Sequence, residues 1–546
     1  MDHKKIKSDV LVIGGSEAGL TAALESNKLG ADTVIVSKGK LGKSGNALIS
    51  GCGHNAPFGH ENDKDSPRIF FEDTLQSGKF LNNRDLVDIL TQEACARVRE
   101  LDDLGVGFEK KNGKFIQYST PGHSYPRSCY TEKRKGLEIT SLLADLVKST
   151  EIKTLDNIMV FSVFQEKGSI EGAMGMNKNT GELYVFSTKA IVLATGGAGK
   201  IYKTNNNVVG TTGDGYSMAL EAGAELIDME FFQFYPHRVI SPVNMNVSPM
   251  LFKMGAKLLN KEGERFMKKY DPTQMEESTR DVKSRAIFTE VLNGDGVKGG
   301  VYLDLSKIKE KELKRLNYKF YNALEGKGVD YRKDDLIISP IAHFYMGGIK
   351  VDRECETRIS NFFACGEVAG GIHGANRLAN NALTSALVFG SRAGRYAAKS
   401  CKDMNIPKID EFKIKKSKNR IYKKRNESYT KIDLAQIKKE LQEMMWGNAG
   451  IVKSGESLNK TLKCLNKLEK ESLKFKSENI RNITHSLELE NMITVSRVLV
   501  LSSLARAESR GSHYRSDYPN TNDEEFLGNI IVKKRNSEII TEKYPI

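Results

Sequence analysis

The first clear pattern is Asp9-Val-Leu-Val-Ile-Gly14, a β-branched run that stops at glycines and leads into the helix-prone Ala18-Gly-Leu-Thr-Ala-Ala-Leu-Glu-Ser26. A second such run follows at Thr33-Val-Ile-Val-Ser37. Strand, glycine turn, helix and parallel strand within about 30 residues form the βαβ unit of a dinucleotide fold. Residues 40–56, rich in Gly, Ser and Asn, read as a loop, and 85–104 carries helical spacing at Leu86, Ile89, Leu90, Ala94, Val98 and Leu101. Strand character returns at Ala190-Ile-Val-Leu-Ala194 before Thr195-Gly-Gly-Ala-Gly199, and again at Asn361-Phe-Phe-Ala-Cys-Gly-Glu367, followed by a small-residue helix from about Asn381 to Ala398.

Between these blocks, residues 236–345 change texture to short mixed strands and helices with charged turns. Beyond them, residues 413–425 hold eight Lys or Arg in thirteen positions, a solvated linker or docking strip. Leu434, Ile437, Leu441 and Met444, then Leu458, Leu462, Leu465 and Leu468, repeat at helical spacing. The expected organisation is α/β: a Rossmann-like domain over 1–235 and 346–404, an inserted α+β capping domain over 236–345, and a C-terminal helical domain over 405–546.

At 546 residues the chain exceeds what one hydrophobic core serves, which agrees with several units. Its longest apolar runs fall far short of a membrane span, and the charged start Met1-Asp-His-Lys-Lys5 has no secretory apolar segment, so it reads as cytoplasmic. Seven scattered cysteines form no Cys-x-x-Cys pair, so no iron–sulfur cluster, haem or other metal is expected. The formal charge of +14 comes without any nucleic-acid-binding signature, and an acidic protein partner suits that field better.

Gly14-Gly15-Ser16-Glu17-Ala18-Gly19 is a near match to the dinucleotide fingerprint, with Ser16 in place of its second glycine. No acid follows the second strand, where Ser37-Lys38 stands instead. Further on come Ala194-Thr-Gly-Gly-Ala-Gly199, Thr212-Gly-Asp-Gly-Tyr-Ser-Met-Ala-Leu-Glu-Ala-Gly-Ala224, Met229-Glu-Phe-Phe-Gln233, Ala342-His-Phe-Tyr-Met-Gly-Gly348, His373-Gly-Ala-Asn-Arg-Leu378 and Glu508-Ser-Arg-Gly-Ser-His513. In this order the series resembles the flavoproteins of the fumarate reductase, succinate dehydrogenase and L-aspartate oxidase family. The resemblance implies FAD held by Gly14, Gly15, Ser16, Ala18, Gly19, Ser37, Lys38, Ser44, Gly45, Gly51, Ala194, Thr195, Gly196, Asp214, Gly366, Glu367, Asn381, Ala382 and Leu383. Respiratory members attach FAD covalently through a histidine where this chain has Lys43-Ser44-Gly45-Asn46, so non-covalent FAD is expected.

The resemblance also implies a reaction: hydride transfer between flavin N5 and a carbon–carbon bond beside a carboxylate. Arg280 matches the proton-delivering arginine, and His343 and Arg377 match the pair that clamps a carboxylate, with His373 near their loop. The second half of the family's dicarboxylate site departs from the pattern. Tyr235 replaces a histidine, and Ser248-Pro249 stand where a Thr-Glu pair is usual, followed by Met250, Leu251 and Phe252. An apolar wall of this kind favours a 2-enoate monocarboxylate over fumarate. Alternatives are a fumarate reductase or L-aspartate oxidase proper, an adenylylsulfate-reductase-like flavoprotein, and a flavin electron-transfer protein with no substrate. With no cluster ligands of its own, the chain is expected to take electrons from a ferredoxin-like or iron–sulfur partner.

Overall fold

The strand His3–Ile13 lies at the centre of the largest sheet, pairing in parallel with Thr33–Ser37 on one side and Leu183–Leu193 on the other. The computed structural model describes residues 3–425, 432–536 and 538–545, so Met1 and Asp2 of the charged start lie outside the described residues. Thr33–Ser37 pairs in turn with Lys153–Asp156, extending the parallel core. Leu183–Leu193 divides its far edge: its first half pairs antiparallel with Ser169–Asn177, and Ile191 to Leu193 pair in parallel with Phe362–Ala364. The two sequence blocks on either side of the insertion thus form one sheet.

Two helices cover one face of this sheet, Glu17–Lys28 and Asn381–Ser400. Their contact is close because small residues meet: a Cβ on Gly394 would lie 2.1 Å from the Ala22 carbonyl oxygen. The β-branched, two-face-buried strand Thr33–Ser37 is what a sheet covered by helices requires.

The inserted unit begins slightly earlier than the change in texture. Its antiparallel sheet orders Met245–Asn246, Phe232–Ser241, Ile337–Tyr345, Val301–Asp304 and Lys257–Leu259. Arg280–Leu292 and Glu310–Glu325 pack on it around a separate core that includes Val239, Leu258, Ile287, Leu313 and Ile338.

Two expectations for the last part of the chain need correction. Residues 413–425 are not a linker: Glu411–Lys424 is a helix that buries Ile414 and Ile421 against the sheet, with Lys413 paired to Glu171 at 2.7 Å and Arg420 to Glu490 at 2.7 Å. The C-terminal unit is also not helical throughout. After Leu434–Asn448, Gly455–Ser472 and Ile480–Ala505, the chain forms a hairpin, Gly528–Arg535 with Glu538–Pro545, which pairs with Leu226–Ile227. Ile530, Ile531 and Val532 are buried in succession, and Ile539 and Ile540 are half-buried on the second strand. Among the described residues no helix is long and apolar enough to cross a membrane.

Candidate active site

A cavity of about 1110 Å³ runs from the glycine turn to the inserted unit, large even against the roughly 300–1,000 Å³ of ordinary ligand sites. At its dinucleotide end the chain leaves His3–Ile13 through Gly14, whose φ of +132° only glycine adopts readily. A side chain there would meet the Ala194 carbonyl oxygen at 2.1 Å, and one on Gly19 would meet the Gly14 oxygen at 1.9 Å. Ser16 caps Glu17–Lys28 without a side-chain hydrogen bond, so the first N–H groups of that helix are left for a ligand.

Most residues predicted to hold the dinucleotide line this cavity, including Gly14, Gly15, Ser16, Ala18, Ser37, Lys38, Ser44, Gly45, Gly51, Ala194, Thr195, Gly196, Asp214, Gly366, Glu367, Ala382 and Leu383. Gly19 and Asn381 do not. Gly19 packs the helix against the turn, while Asn381 accepts from Asn55 Nδ2 at 2.6 Å and holds the loop above it. The neighbouring Asn380, in the left-handed conformation that opens the helix, faces the cavity instead.

Lys38 explains the missing acid. Its Nζ donates to Asp214 Oδ2 at 2.7 Å, to Glu488 Oε1 at 3.0 Å and to Thr212 Oγ1 at 2.8 Å. Burial opposes its charge, but Asp214 and Glu488 hold the ammonium above the ordinary lysine range. Glu367 is held by the Tyr345 N–H at 3.0 Å and Asn46 Nδ2 at 3.3 Å, and burial raises its carboxyl above the usual range. The open glycine backbone, uncapped helix start and polar side chains fit a dinucleotide with a pyrophosphate.

At the other end, Arg280 Nη1 and Arg377 Nη2 both donate to Gln233 Oε1 at 3.0 Å. Gln233 cannot rotate away, because its Nε2 donates to Asn376 Oδ1 and Arg377 O, each at 2.9 Å. Arg280 also lies over the Tyr235 ring at 5.2 Å and Arg377 over Phe344 at 4.4 Å. Among the described residues neither guanidinium has an ion pair, although Arg377 is only 4% exposed. Burial lowers both pKa values, and for Arg377 the Arg280 charge lowers it further. Two like charges share one neutral acceptor, an arrangement completed by an anion.

His343 stands beside them on Ile337–Tyr345, with Nδ1 3.1 Å from Asn206 Nδ2 and its ring 5.2 Å from Tyr235. Burial, then Arg377 and Arg280, hold it well below the usual histidine range, so it is neutral at pH 7.

The predicted far wall is arranged differently. Tyr235 lines the cavity, but Ser248, Phe252 and His373 do not. Ser248 Oγ accepts from Met250 N at 3.2 Å, starting the short helix Met250–Lys253. Phe252 turns toward His237 at 5.0 Å, and His373 packs against Phe344 at 5.4 Å. In their place stand Arg238 and Asn246, which pair across neighbouring strands. Arg238 donates to Asn244 Oδ1 at 2.6 Å and Asn246 Oδ1 at 3.1 Å, and has no carboxylate partner among the described residues. A register shift between Tyr235 and Arg238 brings both to the cavity face. Nothing in the sequence pattern signals that bulge, and no motif signals Asn206 and Asn207, which also line the cavity.

A dinucleotide fold joined to two guanidiniums on one cavity, Arg377 buried and Arg280 half-buried, fits an FAD-dependent flavoprotein oxidoreductase. A family model for an FAD binding domain matches residues 9–383, and one for the fumarate reductase flavoprotein C-terminus matches 438–545. The chain belongs to the fumarate reductase, succinate dehydrogenase and L-aspartate oxidase family of flavoproteins, whose members act on CH–CH groups. It is 39% identical to a fumarate reductase (CoM/CoB) subunit of Methanothermobacter marburgensis over 541 residues, 96% of this chain and 97% of that one. It is 31% identical to L-aspartate oxidase of Synechocystis sp. over 548 residues, 94% and 95% of the two chains. The structure of Mycobacterium smegmatis Sdh1 in complex with UQ1 superposes with a TM-score of 0.90 at 32% identity, covering 99% of this chain and 95% of that one.

Proposed function

We propose that this chain is the flavin-bearing subunit of a fumarate reductase. The observation that carries the reading is the set of carboxylate-free guanidiniums on one cavity: Arg280 and Arg377 sharing Gln233, with Arg238 on the adjoining wall. Arg377 clamps one carboxylate with its planar donor pair. His343, its Nδ1 held against the Asn206 amide, adds a directed hydrogen bond through Nε2. Arg238 and Asn246 receive the second carboxylate, and Arg280, its pKa lowered by burial, gives a proton to the alkene carbon. FAD, bound without a covalent link along the glycine end of the cavity, supplies the hydride. The similarity to a fumarate reductase component over nearly the whole chain supports the same reading.

Electrons reach the flavin from a ferredoxin-like or iron–sulfur partner. The relatives named as subunits support this, and Lys415, Lys416 and Lys423, exposed on the basic helix, offer an acidic partner a complementary surface.

A 2-enoate monocarboxylate is the second reading, favoured by the aromatic Tyr235 on the cavity and by Pro249 in place of an acid. Steady-state reduction with a viologen donor separates the two. Fumarate should show the highest kcat/KM in a panel that includes crotonate and arylacrylates, and Arg238→Gln should lower it at least tenfold while sparing crotonate. A monocarboxylate that outruns fumarate in the wild type would establish the second reading.

A further inference from the structure

An Arg280 that has given up a proton must regain one before the next turnover, and the groups packed behind it decide how. One turn along the same helix, and so on the same face, Lys283 is only 2% exposed. Its Nζ donates to the Glu276 carbonyl oxygen at 2.9 Å and sits 4.9 Å from the Phe252 ring centroid. Among the described residues it has no ion pair with a carboxylate. His237, equally buried, stands alongside with its ring 4.9 Å from Tyr235 and 5.0 Å from Phe252, and neither ring nitrogen has a hydrogen-bond partner.

The cluster lies close to the surface: Lys283 bonds the backbone carbonyl of Glu276, and the side chain of that residue pairs with a partly exposed arginine. The Glu276 carboxylate accepts from Arg265 Nη2 at 2.6 Å, and the Arg265 side chain is 38% exposed. The buried charge is not explained by packing. A methionine would fill the same space without the desolvation an ammonium suffers, and volume-conserving apolar swaps are well tolerated in cores.

We propose that Lys283, with His237 beside it, is the proton reservoir for Arg280. The proposal rests on the reading of Arg280 as proton donor to the alkene. An N–H bond of the Arg280 guanidinium breaks as a C–H bond forms on the substrate. An N–H bond of the Lys283 ammonium then breaks as Arg280 regains its proton, and Lys283 takes one from water. The new C–H bond is made with the electron pair of the breaking alkene π bond, and the proton transfers from Arg280, Lys283 and water change no oxidation state. Lys283 acts through Arg280 and is a positioning and supply residue, not a catalytic one.

The electrostatics suit the task. Burial, then Arg280 on the same helix, pulls the Lys283 ammonium down to about 7, against weaker support from Glu276 and Glu277. From the facing strand come Tyr235 and His237, the latter held well below the usual histidine range by burial, Lys283 and Arg280. An amine of that strength trades protons with water near neutrality. Because only the protonated amine supplies Arg280, turnover should fall as pH rises through about 7.

The test compares wild type with Lys283→Met, Lys283→Arg and Arg280→Gln, all loaded with FAD. For Lys283→Met, FAD content should be unchanged, and so should calorimetric affinity for malonate, a dicarboxylate that cannot be reduced. KM for fumarate should stay within about threefold. Its kcat should fall at least tenfold and lose the decline above pH 7, while Lys283→Arg should retain turnover and shift that decline upward. Lys283→Met with kcat within threefold and an unchanged pH profile overturns the proposal. Loss of FAD or of malonate binding in Lys283→Met also overturns it, by showing a structural role. If Arg280→Gln turns over normally, the reading of Arg280 fails and the reservoir fails with it; an inactive Arg280→Gln with an active Lys283→Met removes Lys283 alone.

Discussion

Arg377→Met isolates the anion clamp because it removes a buried guanidinium that has no carboxylate partner among the described residues. Truncating one member of a buried hydrogen-bonded charge pair costs roughly 2–5 kcal/mol. At about 1.4 kcal/mol per decade, that is an increase of roughly 30-fold to 4,000-fold in Kd for a dicarboxylate. The ligand-free protein should respond in the opposite direction. Arg377 carries a charge only 4% exposed and repelled by Arg280, so methionine relieves desolvation and repulsion together. Malonate titrations followed by flavin absorbance give the affinity, and thermal melts with and without malonate give the stability. Arg377→Met should melt no lower than wild type without ligand and should lose the upward shift that malonate gives the wild type. Binding within threefold of wild type would refute the clamp. A ligand-free protein that melts much lower would show that Arg377 serves the fold through Gln233.

Arg280→Gln should lower alkene reduction by three or more orders of magnitude while reduction of the flavin by an artificial donor persists; a variant within about tenfold, roughly 1.4 kcal/mol of barrier, takes Arg280 out of the mechanism. Acid precipitation of the purified protein should release all flavin into the supernatant as FAD, since residues 43–46 read Lys-Ser-Gly-Asn; yellow colour kept on the pellet would show a covalent link elsewhere.

The dinucleotide half was legible because its signals are local. Gly14, Gly19 and the flanking runs announce a turn whose geometry follows from a few consecutive residues. Arg280, Arg377 and His343 were legible only through matched motifs, and Gln233 between them shows why: its neighbours are 47 and 144 residues away. The far wall was misplaced because the resemblance set Ser248 and Phe252 on it, and no motif signals the bulge that sends Arg238 to the cavity and His237 into the core. The 413–425 segment looked like a linker because charge hid the buried pair Ile414 and Ile421, and partners such as Glu171 and Glu490 lie far away in sequence. The terminal hairpin has no alternation to announce it: Ile530-Ile-Val532 and Ile539-Ile540 are short consecutive apolar runs that follow a long helical repeat.

The edge of Leu183–Leu193 that is divided between two partners bears on how the molecule is made. Phe362–Ala364 claims its half some 170 residues downstream, after the whole inserted unit has been synthesised. Until then the nascent sheet holds an unsatisfied edge, and Gly366 and Glu367 have not reached the cavity. Such distant closures are slow and leave exposed strand edges in the interim. A dinucleotide that touches both blocks favours the closed form by mass action, in proportion to its free concentration. In a cell short of flavin this chain lacks a folding partner as well as a redox group, and its abundance, through turnover of unclosed molecules, should follow flavin supply.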